Sequence, residues 1–369
     1  MPVTLLILIF IRPFISSLAF PDVNIIYSIL FFFFLAVWIT TRGIGLTNIK
    51  PIRNPLALFI LALLVSLIFS RNKVISITEL YKYITGLLLL LIIVSLNQKE
   101  KKRIILCIIL ASFFVSLLAM YQYFFGFKRL LGYIATQKIS NPFILDYVSR
   151  KRVFSPFVTP NILGGYLAMI IPLTLSHRKT IWFVIPLVFA LLLTKSIGAF
   201  ISLFLGLLIY FYLSKKSGKR RIIFLFGLLL IITFVSFSRL STQTPHIHPV
   251  FSTVMRLAYW KDTLEIIRQS PFTGIGLGNF DLLQSRYAHN TYLQVWAEMG
   301  ILGVISILWL VVALFKSARN HQAAGLMAAS SIFLIHNLVD FSFFLPEVAL
   351  IWWIISGLIL SKDMERMQL

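Results

Sequence analysis

The sequence predicts an all-α protein that crosses a membrane about twelve times. Three observations lead to this prediction: the composition, the length of the apolar runs, and the alternation of charge between them. Hydrophobic residues make up 59% of the 369 residues, the mean hydropathy is +0.92, and 12% of residues are charged. Soluble globular domains carry roughly 25% charged residues, so the composition excludes that class.

Apolar runs of roughly 16–22 residues recur along the chain, which is about the length that a helix needs to cross hydrocarbon. The first run has no cleavage site after it, so we predict a spanning helix there rather than a removed signal peptide. No separate soluble domain is predicted: residues 1–369 form one integral-membrane domain, with 239–290 as a long loop that contains short helices. The twelve predicted spans lie near residues 3–20, 24–41, 55–70, 80–96, 104–125, 160–176, 180–194, 198–214, 222–238, 291–315, 323–341 and 346–360.

Basic residues follow every second predicted span. The even-numbered loops and the C-terminal tail together hold eighteen basic residues against three acidic ones. Because positive charge concentrates in cytoplasmic loops, we expect both termini in the cytoplasm and loop 239–290 on the periplasmic side of the inner (plasma) membrane.

The opposite face is also basic, which the topology rule does not explain. The loops near 126–157 and 239–290 hold eleven cations against four carboxylates. This excess predicts an anionic ligand there. Contact with anionic lipid head groups is the alternative.

The long loop returns to the membrane at His289-Asn290, directly before the apolar run from Thr291. Asn290 is a predicted N-cap, which places His289 at the positive end of a helix dipole, where a neutral imidazole suits a base. A simple polar cap is the alternative for His289. Glu298 lies nine residues further on, about 13 Å along the axis, so we expect it to hold the helix rather than to share a reacting centre with His289.

Within the loop, residues 253–269 predict a helix that ends at Ser270-Pro271. Its apolar stripe predicts a helix lying on the bilayer surface. Arg256 is then either a head-group anchor or a ligand for phosphate oxygens, which a planar guanidinium meets in pairs. The stripe comprises Leu257, Trp260, Leu264 and Ile267.

Two other patterns give no cofactor or metal site. The segment GIGLGN at 274–279 is predicted to be a tight turn, because Asn279 stands where a dinucleotide fingerprint requires glycine. Its backbone amides could touch an anion only weakly. His246 and His248 are close in sequence but have no evident third ligand. We therefore expect no metal, no cofactor and no nucleic-acid partner.

Several segments together resemble the O-antigen ligase and polymerase family. The order Arg256, Trp260, SPFTGIGLGNF at 270–280 and HNTYLQVWAEMGILG at 289–303 is similar to that family's signature, and softer similarities cover most of the chain. The softer matches are RVFSPFVTPNILGGYLAMIIPL at 152–173, LTKSIGAFISL at 193–203 and HNLVDFSFFLPEVALIWWIISGL at 336–358.

The resemblance implies a GT-C-type membrane glycosyltransferase that needs neither a metal nor a nucleotide sugar. Such enzymes move a glycan from a polyprenyl-diphosphate carrier to a hydroxyl on lipid A core, on another glycan or on a protein, at the periplasmic face. It further implies that His289 activates the acceptor hydroxyl and that Arg256 engages the diphosphate. The remaining expected contacts fall into two groups. Diphosphate or glycan binding is predicted for Arg152, Lys195, Asn161, Asn290 and Tyr292, and a supporting role for Glu298 and Asp340.

One position departs from the family pattern. Ile197 occupies the place where the family often has an arginine, in the run Thr194 to Gly198. Lys195 could supply the charge, although an ammonium cannot make a bidentate phosphate contact. Arg152 is the other candidate, and an interfacial anchor is its alternative role.

A transporter or lipid flippase is the rival function from another class. Ion-coupled transporters place ionisable groups at mid-membrane, and here these are few: Arg12, and the pair His336 and Asp340 in the eleventh predicted span. The sequence separates neither ligase from polymerase nor either from a protein-glycosylating relative. It also leaves the sugar, the acceptor and the oligomeric state open.

Overall fold

The computed structural model describes residues 3–43, 46–138, 141–176, 179–214, 219–241, 251–282, 285–318 and 324–361, and these residues form helices and turns without a β-strand. The first eight helices are α1 (Val3–Ile11), α2 (Pro21–Arg42), α3 (Arg53–Ile68), α4 (Lys73–Ser95), α5 (Gln98–Tyr121), α6 (Phe127–Thr136), α7 (Pro142–Ser149) and α8 (Pro160–Leu175). The others are α9 (Val184–Thr194), α10 (Ile197–Leu213), α11 (Lys219–Ser241), α12 (Phe251–Gln269), α13 (Thr291–Ser317), α14 (Ala324–His336) and α15 (Pro346–Leu360).

Every predicted apolar run coincides with a helix, so the all-α, membrane-type architecture is confirmed. Among the described residues, five helices are long and apolar enough to cross a bilayer: 21–42, 49–68, 73–95, 98–136 and 291–317. Seven further apolar helices have 10–17 residues. The number of crossings and the GT-C topology stay predictions.

The shorter helices are short because polar or proline-containing segments end them. Helix α8 begins with Thr159 as N-cap and Pro160 in its first turn, and α15 begins at Pro346. Helix α14 ends at His336, five residues before the predicted boundary of that span, because the segment HNLVD turns away to make tertiary hydrogen bonds. Helices α8, α14 and α15 are buried along almost their whole length, so they pack against other helices rather than against lipid.

The connection predicted as a loop near 126–157 is largely helical. Helix α5 begins with a capping box between Asn97 and Glu100 and continues through a π-helical turn at Gln122–Gly126 into α6. Helix α7 follows after Asn141, whose side chain caps its first turn. The apolar residues on one side of α6 explain why this segment folds onto the bundle, since Phe127 and Ile134 are buried.

The described part of the predicted long loop includes α12, which ends at Gln269 directly before Ser270-Pro271, as predicted. His246, His248 and the rest of 242–250 lie outside the described residues. So do several basic positions of the loops and tail predicted to be cytoplasmic, namely Arg178, Lys215, Lys216, Arg319, Lys362 and Arg366.

Candidate functional site

Helix α12 leaves part of its apolar stripe exposed and buries a neighbouring face. Leu257 and Leu264 are 57% and 43% exposed, as expected for a stripe that faces lipid, whereas Tyr259 and Thr263 are buried. Arg256 lines a pocket. This position favours the ligand role of Arg256 over the head-group anchor, and both roles stay predictions.

Arg256 brings a positive charge without an ion-pair partner to the pocket. Its Nε is buried and has no hydrogen-bond partner among the described residues, and no ion pair is formed there by its guanidinium. Burial lowers the pKa of Arg256, while the charges of Asp340, Tyr147 and Tyr259 oppose that shift. Because a guanidinium stays protonated in proteins, Arg256 presents N–H donors that an oxyanion could satisfy.

His289 lies beside Arg256, held between aromatic rings. Its backbone is left-handed, with φ of 52°, which is uncommon for a residue other than glycine. The imidazole stacks on Tyr259 with 5.6 Å between ring centroids, and Phe341 meets it edge-on at 4.7 Å. Its Nδ1 is buried without a partner among the described residues.

These surroundings keep the imidazole neutral. Burial and then the positive charge of Arg256 lower the pKa of His289 from 6.5 to about 4, while Asp340 acts in the opposite direction. At neutral pH the ring therefore has a free nitrogen lone pair that can accept a proton.

The predicted N-cap next to His289 is confirmed. The Asn290 side chain accepts hydrogen bonds from the backbone N–H groups of Tyr292 and Leu293 at 3.0 and 3.1 Å. The Tyr292 hydroxyl donates to the Leu334 carbonyl at 2.9 Å. Both predicted ligand-binding side chains thus make structural contacts that fix the start of α13, and their binding roles stay predictions.

A second part of the site is built around Asn161 at the start of α8. Arg152, only 2% exposed, donates to Asn161 Oδ1 at 3.0 Å and to the Thr194 carbonyl at 3.1 Å. Ser196 Oγ donates to the same Asn161 oxygen at 3.0 Å. Asp146 balances part of the charge, at 3.4 Å from Arg152 Nη1. Arg152 is therefore an interior residue that orients Asn161, rather than an interfacial anchor.

His336 and Asp340 connect this part to the turn after α14. His336 Nε2 lies 3.1 Å from the Asn161 carbonyl and 3.4 Å from Asp340 Oδ2. Both neighbours are acceptors, so Nε2 must carry the hydrogen. The pair is not a helical i, i+4 pair as predicted, because α14 has ended at His336. Gly165 permits this packing, since a Cβ there would overlap the His336 ring.

The pocket between these elements has a volume of about 460 Å³. Its polar lining residues include Arg256, Asn161, Ser196 and His336. Its apolar lining residues come mainly from α10 and from the end of α14 with the turn after it, and Ile201 and Leu205 are also exposed on the surface of the protein. His289 is not among the lining residues.

Only one of the two residues Lys195 and Ile197 lines the pocket. Ile197 lines the pocket, whereas Lys195 has a left-handed backbone and donates from Nζ to the Arg150 carbonyl at 2.8 Å. Burial and the nearby Arg152, Arg150 and Lys151 lower the pKa of Lys195. The predicted phosphate contact of Lys195 stays a prediction, but its ammonium group does not face the pocket.

Glu298 holds the GIGLGN turn, as its predicted supporting role requires. Its two carboxylate oxygens accept hydrogen bonds from Gln294 Nε2 at 2.9 Å and from the Gly278 N–H at 3.0 Å. The turn is confirmed by positive φ angles at Gly274, Gly276 and Gly278. The possible anion contact is not supported, because the Gly274, Gly276 and Gly278 amides already donate within the protein.

Residues that the sequence did not single out complete the site. Ser196, Tyr259 and Phe341 have ordinary core or cap patterns in the sequence, and only Tyr259 had an available signal, its position one turn after Arg256. Four buried polar atoms without partners among the described residues mark the region: Nε of Arg256, Nε1 of Trp260, Nδ1 of His289 and Nδ1 of His336. Unpaired buried polar groups are rare in folded proteins, so their concentration here indicates a binding site.

Comparison with known proteins supports one family. No group of three His, Cys, Asp or Glu residues suited to a metal is found in the described parts of the chain. No curated protein sequence matches the chain. Residues 182–308, which include Arg256, His289 and Glu298, match the family model described as O-antigen ligase. This match agrees with the resemblance seen in the sequence and supports an assignment to the O-antigen ligase family.

Proposed function

We propose that the protein transfers a glycan from a polyprenyl-diphosphate carrier to a hydroxyl group of a lipid-linked or glycan acceptor, at the periplasmic face of the plasma membrane. The observation that carries this proposal is the meeting of Arg256, His289, Asn161 and His336 at one end of the bundle. These residues come from α12, the loop before α13, the first turn of α8 and the end of α14, and they combine unpaired donors with a neutral base.

The pocket suits a donor that has a charged head and an apolar tail. Arg256 supplies guanidinium donors for the diphosphate, and Asn161, held by Arg152, supplies a polar side chain near it. The mostly apolar lining between α10, α11 and α14 suits a polyprenyl chain, which is hydrocarbon throughout. Membrane lipids are the solvent for that tail, so no soluble carrier is needed.

The reaction forms a bond between the acceptor oxygen and the anomeric carbon and breaks the bond from that carbon to the phosphate oxygen. The bonding electrons leave with the polyprenyl diphosphate, and the acceptor proton passes to His289. Arg256 stabilises the charge that grows on the departing phosphate.

Donor binding also makes the His289 imidazole more basic. In the donor-free protein Arg256 helps to lower the pKa of His289 to about 4, which makes the imidazole a weak base. A bound diphosphate offsets the Arg256 charge, so the imidazole becomes more basic only when the donor is present.

Polymerase or protein O-oligosaccharyltransferase activity uses the same site and differs in the acceptor alone. A flippase function finds no support in the pocket, whose described lining holds one arginine, Arg256, with an unpaired Nε. We propose a metal-independent mechanism, in which Arg256 takes the part that a divalent cation plays elsewhere.

The test is reconstitution of the full chain in lipid vesicles with an undecaprenyl-diphosphate-linked oligosaccharide. Three acceptors are offered separately: lipid A–core, a second lipid-linked glycan, and a peptide with serine and threonine. Transfer that persists in EDTA and falls at least a hundredfold in His289→Ala supports the proposal, since a general base contributes about 10²–10⁴-fold. Wild-type turnover by His289→Ala, or a strict need for a divalent cation, contradicts it.

A further inference from the structure

A second polar cluster lies near His289, among residues that do not line the pocket. Phe341 separates the two: it meets His289 edge-on at 4.7 Å between centroids and stacks on Tyr287 at 4.2 Å, with 11° between the ring planes. Beyond Tyr287 lie Glu79 and Lys82 of α4, close enough for their charges to act on the phenol. We call Glu79, Lys82 and Tyr287 the α4 cluster.

The α4 cluster is ordered and still accessible. Glu79 pairs with Lys82, and these two side chains are 17% and 19% exposed. Arg286, on the loop before His289, places its Nη2 4.0 Å from the other Glu79 oxygen. Gly278 packs directly on Glu79, since a Cβ there would overlap the Glu79 side chain. The Tyr287 hydroxyl has no hydrogen-bond partner among the described residues.

The combination of groups suits a sugar. A carboxylate only accepts hydrogen bonds, an ammonium only donates them, and a phenol does both. Sugar hydroxyls likewise donate and accept, so a neutral saccharide satisfies all three groups. Lys82 and Arg286 offset the Glu79 charge, so the mixture of donors and acceptors, and not charge repulsion, favours the saccharide.

The transfer reaction also requires a second substrate near His289. The diphosphate donor reaches the site through the pocket that Arg256 lines, and the acceptor hydroxyl must come within hydrogen-bond reach of the imidazole. The α4 cluster begins one aromatic ring away from that imidazole, and none of its residues lines the pocket.

We propose that the α4 cluster binds the terminal sugar of the acceptor and directs one of its hydroxyl groups towards His289. This inference rests on the proposed function, and it specifies the acceptor as a saccharide. A sugar bound there can lie against the exposed edge of the Tyr287 ring while its hydroxyls bond to Glu79 and Lys82.

Tyr287→Phe is the sharpest test, because it keeps the stack on Phe341 and removes only the hydroxyl. Glu79→Gln is the second variant, and Tyr212→Phe, whose tyrosine is 78% exposed at the end of α10, is the matched control. The KM for the lipid A–core or lipid-linked glycan acceptor is measured at saturating donor, and the donor KM at saturating acceptor. Thermal unfolding in detergent checks that each variant folds.

We expect the acceptor KM to rise about three- to tenfold in Tyr287→Phe, as for the loss of one hydrogen bond, and to rise in Glu79→Gln. The donor KM should stay within twofold. An acceptor KM within twofold of wild type in both variants overturns the inference, as does an equal rise in both KM values. Turnover of the serine and threonine peptide alone also overturns it. Absence of transfer by the wild-type protein with all three acceptors is a different result, which refutes the proposed function and this inference with it.

Discussion

Arg256→Gln tests the electrostatic link between the donor pocket and the base. Arg256 has no ion-pair partner in the described structure, and its Nε is buried without a hydrogen bond. A buried charge without a partner is unfavourable in the free protein, so the substitution should not lower the free energy of unfolding. The substitution should instead change the donor KM and kcat.

Two kinetic effects follow from the position of Arg256. Hydrogen bonds to charged groups contribute about 1.5–3 kcal/mol, which corresponds to a rise in donor KM of roughly 10- to 150-fold. Loss of a preorganised donor to the leaving phosphate should also lower kcat by about 10²–10³-fold. Both effects should be absent in Arg268→Gln, the matched control, because Arg268 lies on the same helix with its side chain 73% exposed.

Arg256→Gln should also change the pH dependence of kcat/KM for the donor. Burial and Arg256 together lower the pKa of His289 to about 4. Without the Arg256 charge this pKa must rise towards 6.5, so a larger fraction of His289 is protonated at pH 5 and cannot accept a proton. Since kcat/KM for the donor reports the free enzyme, its acid limb should move to higher pH in Arg256→Gln.

The assay follows product formation from pH 4.5 to 8 in proteoliposomes, with each variant at several donor concentrations. An unchanged donor KM would show that Arg256 does not contact the diphosphate. An acid limb at the same pH in wild type and Arg256→Gln would show that Arg256 and His289 are not electrostatically coupled, and the site as described would be wrong.

Three further substitutions have defined outcomes. His289→Gln should reduce kcat by about 10²–10⁴-fold. Donor binding, measured by equilibrium titration, should stay within twofold of wild type. A large loss of donor binding would indicate that His289 is a phosphate ligand instead of a base. Asn290→Ala should lower the free energy of unfolding by about 1 kcal/mol, because the side chain caps α13; thermal melting in detergent measures this, and an unchanged melting temperature contradicts it. Gly300→Ala should destabilise the protein by more than the 1–2 kcal/mol of a left-handed residue, since φ at Gly300 is 65° and a Cβ there would overlap the Phe272 carbonyl. Equal stability to wild type would mean that the α13 backbone around Gly300 relaxes freely.

Much of the architecture was predictable because the bilayer restricts the chain to helices whose apolar length is visible in the sequence. The helical character of the twelve apolar runs, the cap at Asn290 and the end of α12 at Ser270 depend on local composition and agree with the structure, while the number of crossings stays a prediction. The end of α14 was misplaced because apolar content alone does not reveal that His336 bonds to Asn161 of α8 and Asn337 to Thr291 of α13.

The candidate site, like the fold, was predictable from the sequence only in part. The sequence by itself pointed to the family, to His289 as a candidate base and to an excess of basic residues in the loops near 126–157 and 239–290, because these depend on residue types in a fixed order. Tertiary structure alone decided that Arg256 faces the pocket, that Lys195 turns away from it and that Arg152 is buried behind Asn161. Which face of a helix is buried depends on the shape of its neighbours, and the neighbours of α12 come from segments that lie up to 198 residues away in sequence.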